Sequence, residues 1–389
     1  MRTLLRRLFR GFIVCCFRIA AIVLRHRSHL VGKDHLKNVP TPLIITLTHD
    51  SYFEVPSLSR VYFSLHPLPD FCILGKTEFL SGSYLAANFG KKSAVLRSLL
   101  TILDKTRLPV AVFKTLRITT IHRPFIETYR KKKKRIRAEI GTQIEKINQG
   151  ISRGLSTVVF PEGTTWGFGG LKKIRSIVYQ IVENTMESTH RKAFLLPINV
   201  KVDGLVKGKK DVFINIGKPV YMRAAREAFN ERLAQILKRL HTITFSQIAA
   251  YYLTRLAQKE RELRANPMID RERLAKAMSG ITREISSAVR RRMLPHMDAR
   301  LADNGYLDAK MKRFIKYCRK KRYLLEARLD AGGTRLMLNI DIILSTYPEK
   351  VYRKLNPLGF YANELVSLGE ERIRTIFDPY LDLALRPAR

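Results

Sequence analysis

Leu43-Ile44-Ile45-Thr46-Leu47 is a short apolar run closed in by Pro40 and Pro42 on one side and by a polar cluster on the other. A run of that length with those borders reads as a buried strand. His49 follows almost at once, so its imidazole is expected at the strand's carboxyl end, where open α/β sheets tend to place their sites. Ser51 can cap the helix that comes next, and Glu54 can meet the imidazole from that helix's first turn. A carboxylate beside a histidine fixes its tautomer and lets it take a proton from a hydroxyl. The same residues also allow a structural reading. Ser51-x-x-Glu54 is a capping box, in which Glu54 merely bonds the Ser51 backbone N–H.

A second stretch changes the balance. In the stretch Ser156 to Leu171 another buried apolar run ends in Phe160-Pro161-Glu162-Gly163-Thr164. Together the two stretches resemble the glycerolipid acyltransferases, the family of 1-acylglycerol-3-phosphate acyltransferase. That family's first motif, NHxSxxD, is matched by Thr48-His49-Asp50-Ser51-Tyr52-Phe53-Glu54, and its third, FPEGTRS, by Phe160-Pro161-Glu162-Gly163-Thr164-Thr165-Trp166. The second motif corresponds to Thr120-Ile121-His122-Arg123, the fourth to Phe194-Leu195-Leu196-Pro197-Ile198, and the closing strand to Val212 through Pro219. The order holds over roughly residues 30 to 222. Glu54 stands for the usual aspartate and Thr48 for the usual asparagine, while Thr165 and Trp166 replace arginine and serine.

The resemblance implies an α/β fold, a mixed sheet flanked by helices, carrying out acyl transfer from a thioester to a glycerol hydroxyl. His49 would deprotonate the hydroxyl and Glu54 would orient it, as the acid does in a hydrolase triad. Arg123, Lys172 and Lys173 would bind the acceptor phosphate, and Glu162, Gly163 and Thr164 would shape the glycerol end. No metal or bound cofactor is required. The donor would be acyl-CoA or acyl-carrier protein and the acceptor a lysophospholipid, with 1-acylglycerol 3-phosphate giving phosphatidate. Glycerol 3-phosphate or another lysolipid stays open as acceptor, as does a catalytically silent relative.

Charge bounds the partners. The chain of 389 residues carries 72 Lys and Arg against 33 Asp and Glu, a net charge of +39. Such a field favours nucleic acid, an anionic membrane face or acidic substrates. Nucleic acid is the weaker reading, because no helix-turn-helix, finger or aromatic-on-strand signature appears. Cys15 and Cys16 are adjacent while Cys72 and Cys318 are isolated, which gives no disulfide framework or zinc spacing.

Three units are expected: an N-terminal membrane-associated helix over 1–29, the acyltransferase domain over 30–222, and a basic helical extension over 223–389. In the first, the apolar run from Gly11 to Leu24 is flanked by arginines and interrupted by Arg18. At about 21 Å as a helix it is shorter than a ~30 Å hydrocarbon core, so an interfacial helix on an anionic, cytoplasmic membrane face (a bacterial inner membrane) fits best. Lys131 to Arg137 open a helix expected to run to about Gly150, either as a solvated face or as a site for lipid phosphates. Gly167-Phe168-Gly169-Gly170 ahead of Lys172 and Lys173 suggests a phosphate cradle, or else a flexible loop. Beyond Pro219 the stripe Phe229, Leu233, Ile236, Leu237 and Leu240 predicts an amphipathic helix, and the rest of the extension reads as helical with no strand alternation.

Overall fold

The computed structural model describes residues 2–48, 55–66, 70–76, 98, 101–102, 118–121, 133–163, 167–263, 268–328, 334–350 and 353–385. Helix α1 (Arg2–Val23) leads into β1 (His26–Val31), and β2 is Leu43–Leu47, as its apolar run requires. Then come α2 (Ser59–Ser64), β3 (Phe71–Lys76), β4 (Ile118–Ile121), α3 (Lys133–Ser152) and β5 (Ser156–Val159). After these follow α4 (Ile177–Thr189), β6 (Phe194–Asp203), β7 (Lys210–Ile216), β8 (Val220–Tyr221) and α5 (Arg226–Arg239).

The eight strands form one mixed sheet in the order β1-β7-β6-β2-β5-β3-β4, with β8 also paired to β6. Among the described residues the β6–β7 and β6–β8 pairs of this sheet are antiparallel and its other pairs parallel. β2 lies between β5 and β6, in register at Thr46↔Val159 and Leu47↔Ile198. Its side chains alternate as a strand must. Leu43, Ile45 and Leu47 enter one core with Leu196 and Ile198, and Ile44 enters the opposite core with Ile147, Val178 and Leu195. Helices cover both faces, so every residue of β2 is buried and the run reads as continuously apolar.

Two boundaries differ from the expected ones. Residues 26–29, placed with the N-terminal helix, begin β1, which pairs in parallel with β7 from His26↔Lys210 onward. The sequence HRSHLV conceals this because it is a polar edge strand without apolar alternation. The division at 222/223 falls ahead of α5, yet Phe229, Leu233 and Leu237 are fully buried in the sheet's own core. The packing changes after that helix.

The extension has a separate core, built on α6 (Phe245–Leu263), α7 (Arg271–Arg290), α8 (Asn304–Lys320), α9 (Ile340–Leu344), α10 (Pro357–Val366) and α11 (Glu370–Leu385). The expectation of helix alone is corrected here. β9 (Thr242–Ile243) pairs with β11 (His296–Met297), β13 (Thr334–Leu338) lies between β10 (Met268–Ile269) and β12 (Leu324–Arg328), and β14 (Thr346–Lys350) pairs with β15 (Arg353–Leu355). These strands span five residues at most, too few to display a period, and they are held by packing on the helical core rather than by their own pattern.

Helix α1 has two unlike sides. Arg10, Val14 and Ala21 are buried on the protein side, where Arg10 Nη1 donates to Asp70 Oδ1 at 3.0 Å. On the other side Leu8, Phe12, Ile19, Ile22 and Val23 are 61–73% exposed. Among the described residues no helix is long and apolar enough to cross a membrane.

Candidate functional site

The site is built on two neighbouring strand ends. β2 stops at Leu47, and Thr48 turns its end against β6: its N–H donates to Ile198 O at 3.1 Å, and its Oγ1 accepts Val200 N–H at 2.9 Å. Thr48 is thus a lateral clamp, buried and engaged by backbone. β5 runs beside β2 and ends one pairing away, so Phe160, Pro161 and Glu162 emerge next to Thr48.

Gly163 has φ +71°, a left-handed conformation that costs a residue with a Cβ about 1–2 kcal/mol. It closes a turn in which its N–H meets Phe160 O at 2.9 Å. The buried Glu162 carboxylate accepts the Lys172 backbone N–H at 2.9 Å, and Arg175 N–H reaches Pro161 O at 2.8 Å. Glu162 therefore folds the following loop back on the motif. Lys173 is exposed on that loop.

The glycine-rich turn carries a second constraint. A Cβ on Gly169 would lie 2.1 Å from Phe360 O, and one on Gly170 would lie 2.8 Å from Ser367 Cβ. Asn363 Nδ2 donates to Phe168 O at 3.0 Å. These glycines are committed to the close approach of α10, which the phosphate-cradle reading did not foresee.

A small cavity of about 10 Å³ is lined by Thr48, Glu162, Asn199, Lys201, His241 and Ser367, among others. Behind it runs a buried polar chain. Lys201 Nζ meets Glu364 Oε1 at 2.5 Å, Gln247 Nε2 donates to Glu364 Oε2 at 3.0 Å, and His241 Nε2 lies 3.2 Å from Gln247 Oε1. Sequence reasoning named none of these four residues, because they come from β6, the α5–β9 connection, α6 and α10 and share no local motif.

Of the expected site residues, Glu162, Gly163, Lys172 and Lys173 are brought to this loop, while His49, Glu54, Arg123 and Thr164 lie outside the described residues. Along the chain, His49 directly follows Thr48. Arg123 follows β4, which β5 and β3 separate from β2, a distance of about 14 Å at ordinary strand spacing. Among the described residues no group of three His, Cys, Asp or Glu is arranged to hold a metal.

No family model and no curated protein matches the chain. A solved structure, the 1-acyl-sn-glycerophosphate acyltransferase of Thermotoga maritima, is similar over 61% of this chain and 81% of its own length, with a TM-score of 0.37 and 15% identity.

Proposed function

We propose that the chain transfers a fatty acyl group from acyl-CoA or acyl-carrier protein to a hydroxyl of a lysophospholipid, with 1-acylglycerol 3-phosphate as the preferred acceptor. One observation carries the reading. The strands bearing the histidine motif and the Phe160-Pro161-Glu162-Gly163 motif are immediate parallel neighbours, and Thr48 and Glu162 line a common cavity at their carboxyl ends. The strand ends that precede the two motifs, far apart in sequence, thus lie side by side, which supports a two-part site.

In this reading His49 takes the proton of the acceptor hydroxyl as its oxygen attacks the thioester carbonyl. The carbon–sulfur bond breaks, and the leaving thiolate receives the proton from the imidazolium. An imidazole pKa near ~6.5 suits both transfers. Glu54 holds the ring and stabilises its charged form. Arg123, Lys172 and Lys173 supply charge to the acceptor phosphate, each charge-assisted bond contributing ~1.5–3 kcal/mol.

The outward apolar side of α1, continuing into the basic Arg25 and Arg27, supports a membrane-interfacial position on an anionic cytoplasmic leaflet. The test is direct. Purified protein is incubated with labelled acyl donor and a panel of acceptors, with and without anionic vesicles, beside His49→Ala. Product from lysophosphatidate in the parent and none in His49→Ala, at an unchanged melting temperature, is the expected result. Activity of the variant within a few-fold of the parent sinks the mechanism, and a parent silent on every acceptor sinks the function.

A further inference from the structure

Helix α10 meets the sheet domain at the loop that carries Glu162. Its contacts there are of three independent kinds. The first is steric: Gly169 and Gly170 admit the α10 backbone and Ser367 so closely that no side chain fits between. The second is a directed hydrogen bond from Asn363 Nδ2 to Phe168 O across 195 positions of sequence. The third is the enclosed pair of Lys201 and Glu364, whose side chains are 5% and 0% exposed. Lys201 stands on β6 next to Val200, the residue that clamps Thr48. Ser367 and Leu368, just past α10, line the same small cavity as Thr48 and Glu162.

A helix serving only the extension's stability would need none of this polar wiring toward the motif strands. Its local fold is already secured, since Asn356 caps it by accepting Gly359 N–H at 2.8 Å, with Pro357 in the first turn. Leu358, Phe360 and Leu365 anchor it in the extension's core. What remains, Asn363 and Glu364, faces the site loop and β6.

We propose that α10 is the back wall of the acyl-transfer site, with Asn363 and Glu364 as positioning residues that hold the Glu162 loop and the Thr48 strand end in register. The extension is then part of the enzyme's working geometry rather than an appended module. This rests on the acyl-transfer reading, since it is that site's geometry that α10 sets. Neither residue touches the reacting atoms; both act through Phe168 and Lys201. A displacement of about 1 Å at a reacting centre can cost on the order of 100-fold in rate, so loosening the wall is expected to act on turnover more than on binding.

The experiment compares the full-length parent with Asn363→Ala and Glu364→Gln, by steady-state acyl transfer and by amide hydrogen exchange. Asn363 is exposed and outside the core, so its variant keeps the test valid should Glu364→Gln fold poorly. The expected result is a kcat lowered by roughly 10–100-fold with donor and acceptor KM near the parent's. Exchange should quicken across residues 167–175 in Asn363→Ala and at the Thr48 and Val200 amides in Glu364→Gln, and stay unchanged in β5. Unchanged kcat in both variants overturns the proposal, as does a loss of rate that tracks global unfolding. A rise in kcat overturns it too, because α10 would then be a plug. Should the parent transfer no acyl group, the acyl-transfer reading falls by itself. Exchange then decides the wall alone: quickened at 167–175 it stands, unchanged it falls.

Discussion

The extension grips the sheet domain at two buried ionic clusters, and they are built differently. At the site end a single pair, Lys201 with Glu364, is enclosed and wired to a neutral amide and an imidazole. Two residues further along β6, Asp203 and its cross-strand neighbour Asp211 share Lys310, and Arg300 joins Asp211 to Asp298. That second cluster opens to solvent through Arg300 and His29, which are about one-third exposed, with His29 Nε2 2.8 Å from Asp211 Oδ1. Burial works to raise the Asp211 pKa, yet hydrogen bonds from His29 and Lys310 and the nearby cations hold it well below the usual carboxylate range. Burial likewise opposes the charge of Lys310, and its two carboxylates outweigh that and raise its pKa. The Lys201–Glu364 pair is enclosed, and Gln247 holds the second oxygen of its carboxylate. A network with a wet edge distributes its charge among several partners.

The largest effect expected from breaking this comparison is Lys310→Ala, which leaves two buried carboxylates without their shared cation. A loss of about 3–5 kcal/mol in denaturant unfolding is the expectation, larger than for Lys201→Ala, which strands only one. Equal losses would erase the distinction between pair and network. Next comes a contrast of two glycines on the site loop. Gly169→Ala would force a Cβ against the Phe360 carbonyl at φ +84°, whereas Gly163→Ala would meet only Arg175 Cγ at 3.4 Å. The first should cost about 3 kcal/mol or more and release α10, and the second about 1–2 kcal/mol of backbone strain. If the two melt alike, the loop is not pressed by the helix.

The smallest effect is a pH response at the open cluster. Burial lowers the Lys210 pKa from 10.5 to about 8, with Asp203 opposing that shift. Above pH 8 the folded chain has given up a proton that the unfolded chain still holds, so stability should rise with pH until the buried tyrosines begin to lower it near 10. A rise of ~1 kcal/mol after solvent screening, absent in Lys210→Met, would be visible in urea midpoints taken at pH 7.5 and 9.5.

What the sequence discloses follows from how local each signal is. β2 is a nearly continuous apolar run because both its faces are covered, and the stripe of α5 carries its period openly. β1 stays hidden because an edge strand needs no apolar alternation, and β12 and β13 because they are short. At the site, the Glu162 turn is legible from Pro161-Glu162-Gly163. The role of Gly169 is not, since nothing near it in sequence points to Phe360. Lys201 and Glu364 look like ordinary surface charges in a chain of +39, and only the tertiary fold buries them together.

The strand order also sets a timetable for biosynthesis. β2 is made early, but its two neighbours are β5 and β6, and β1 must wait for β7. At ordinary elongation rates of about 5–20 residues per second, β2 has no β6 partner on the ribosome for roughly 8–30 s. Throughout that interval Leu43-Ile44-Ile45 is an uncovered apolar segment, while the helix ahead of it presents Leu8, Phe12 and Ile19. A nascent chain in that state is prone to aggregate unless a surface or a chaperone occupies it. Early capture of α1 by a bilayer would keep neighbouring nascent chains apart until Ile198 arrives to close the sheet around β2.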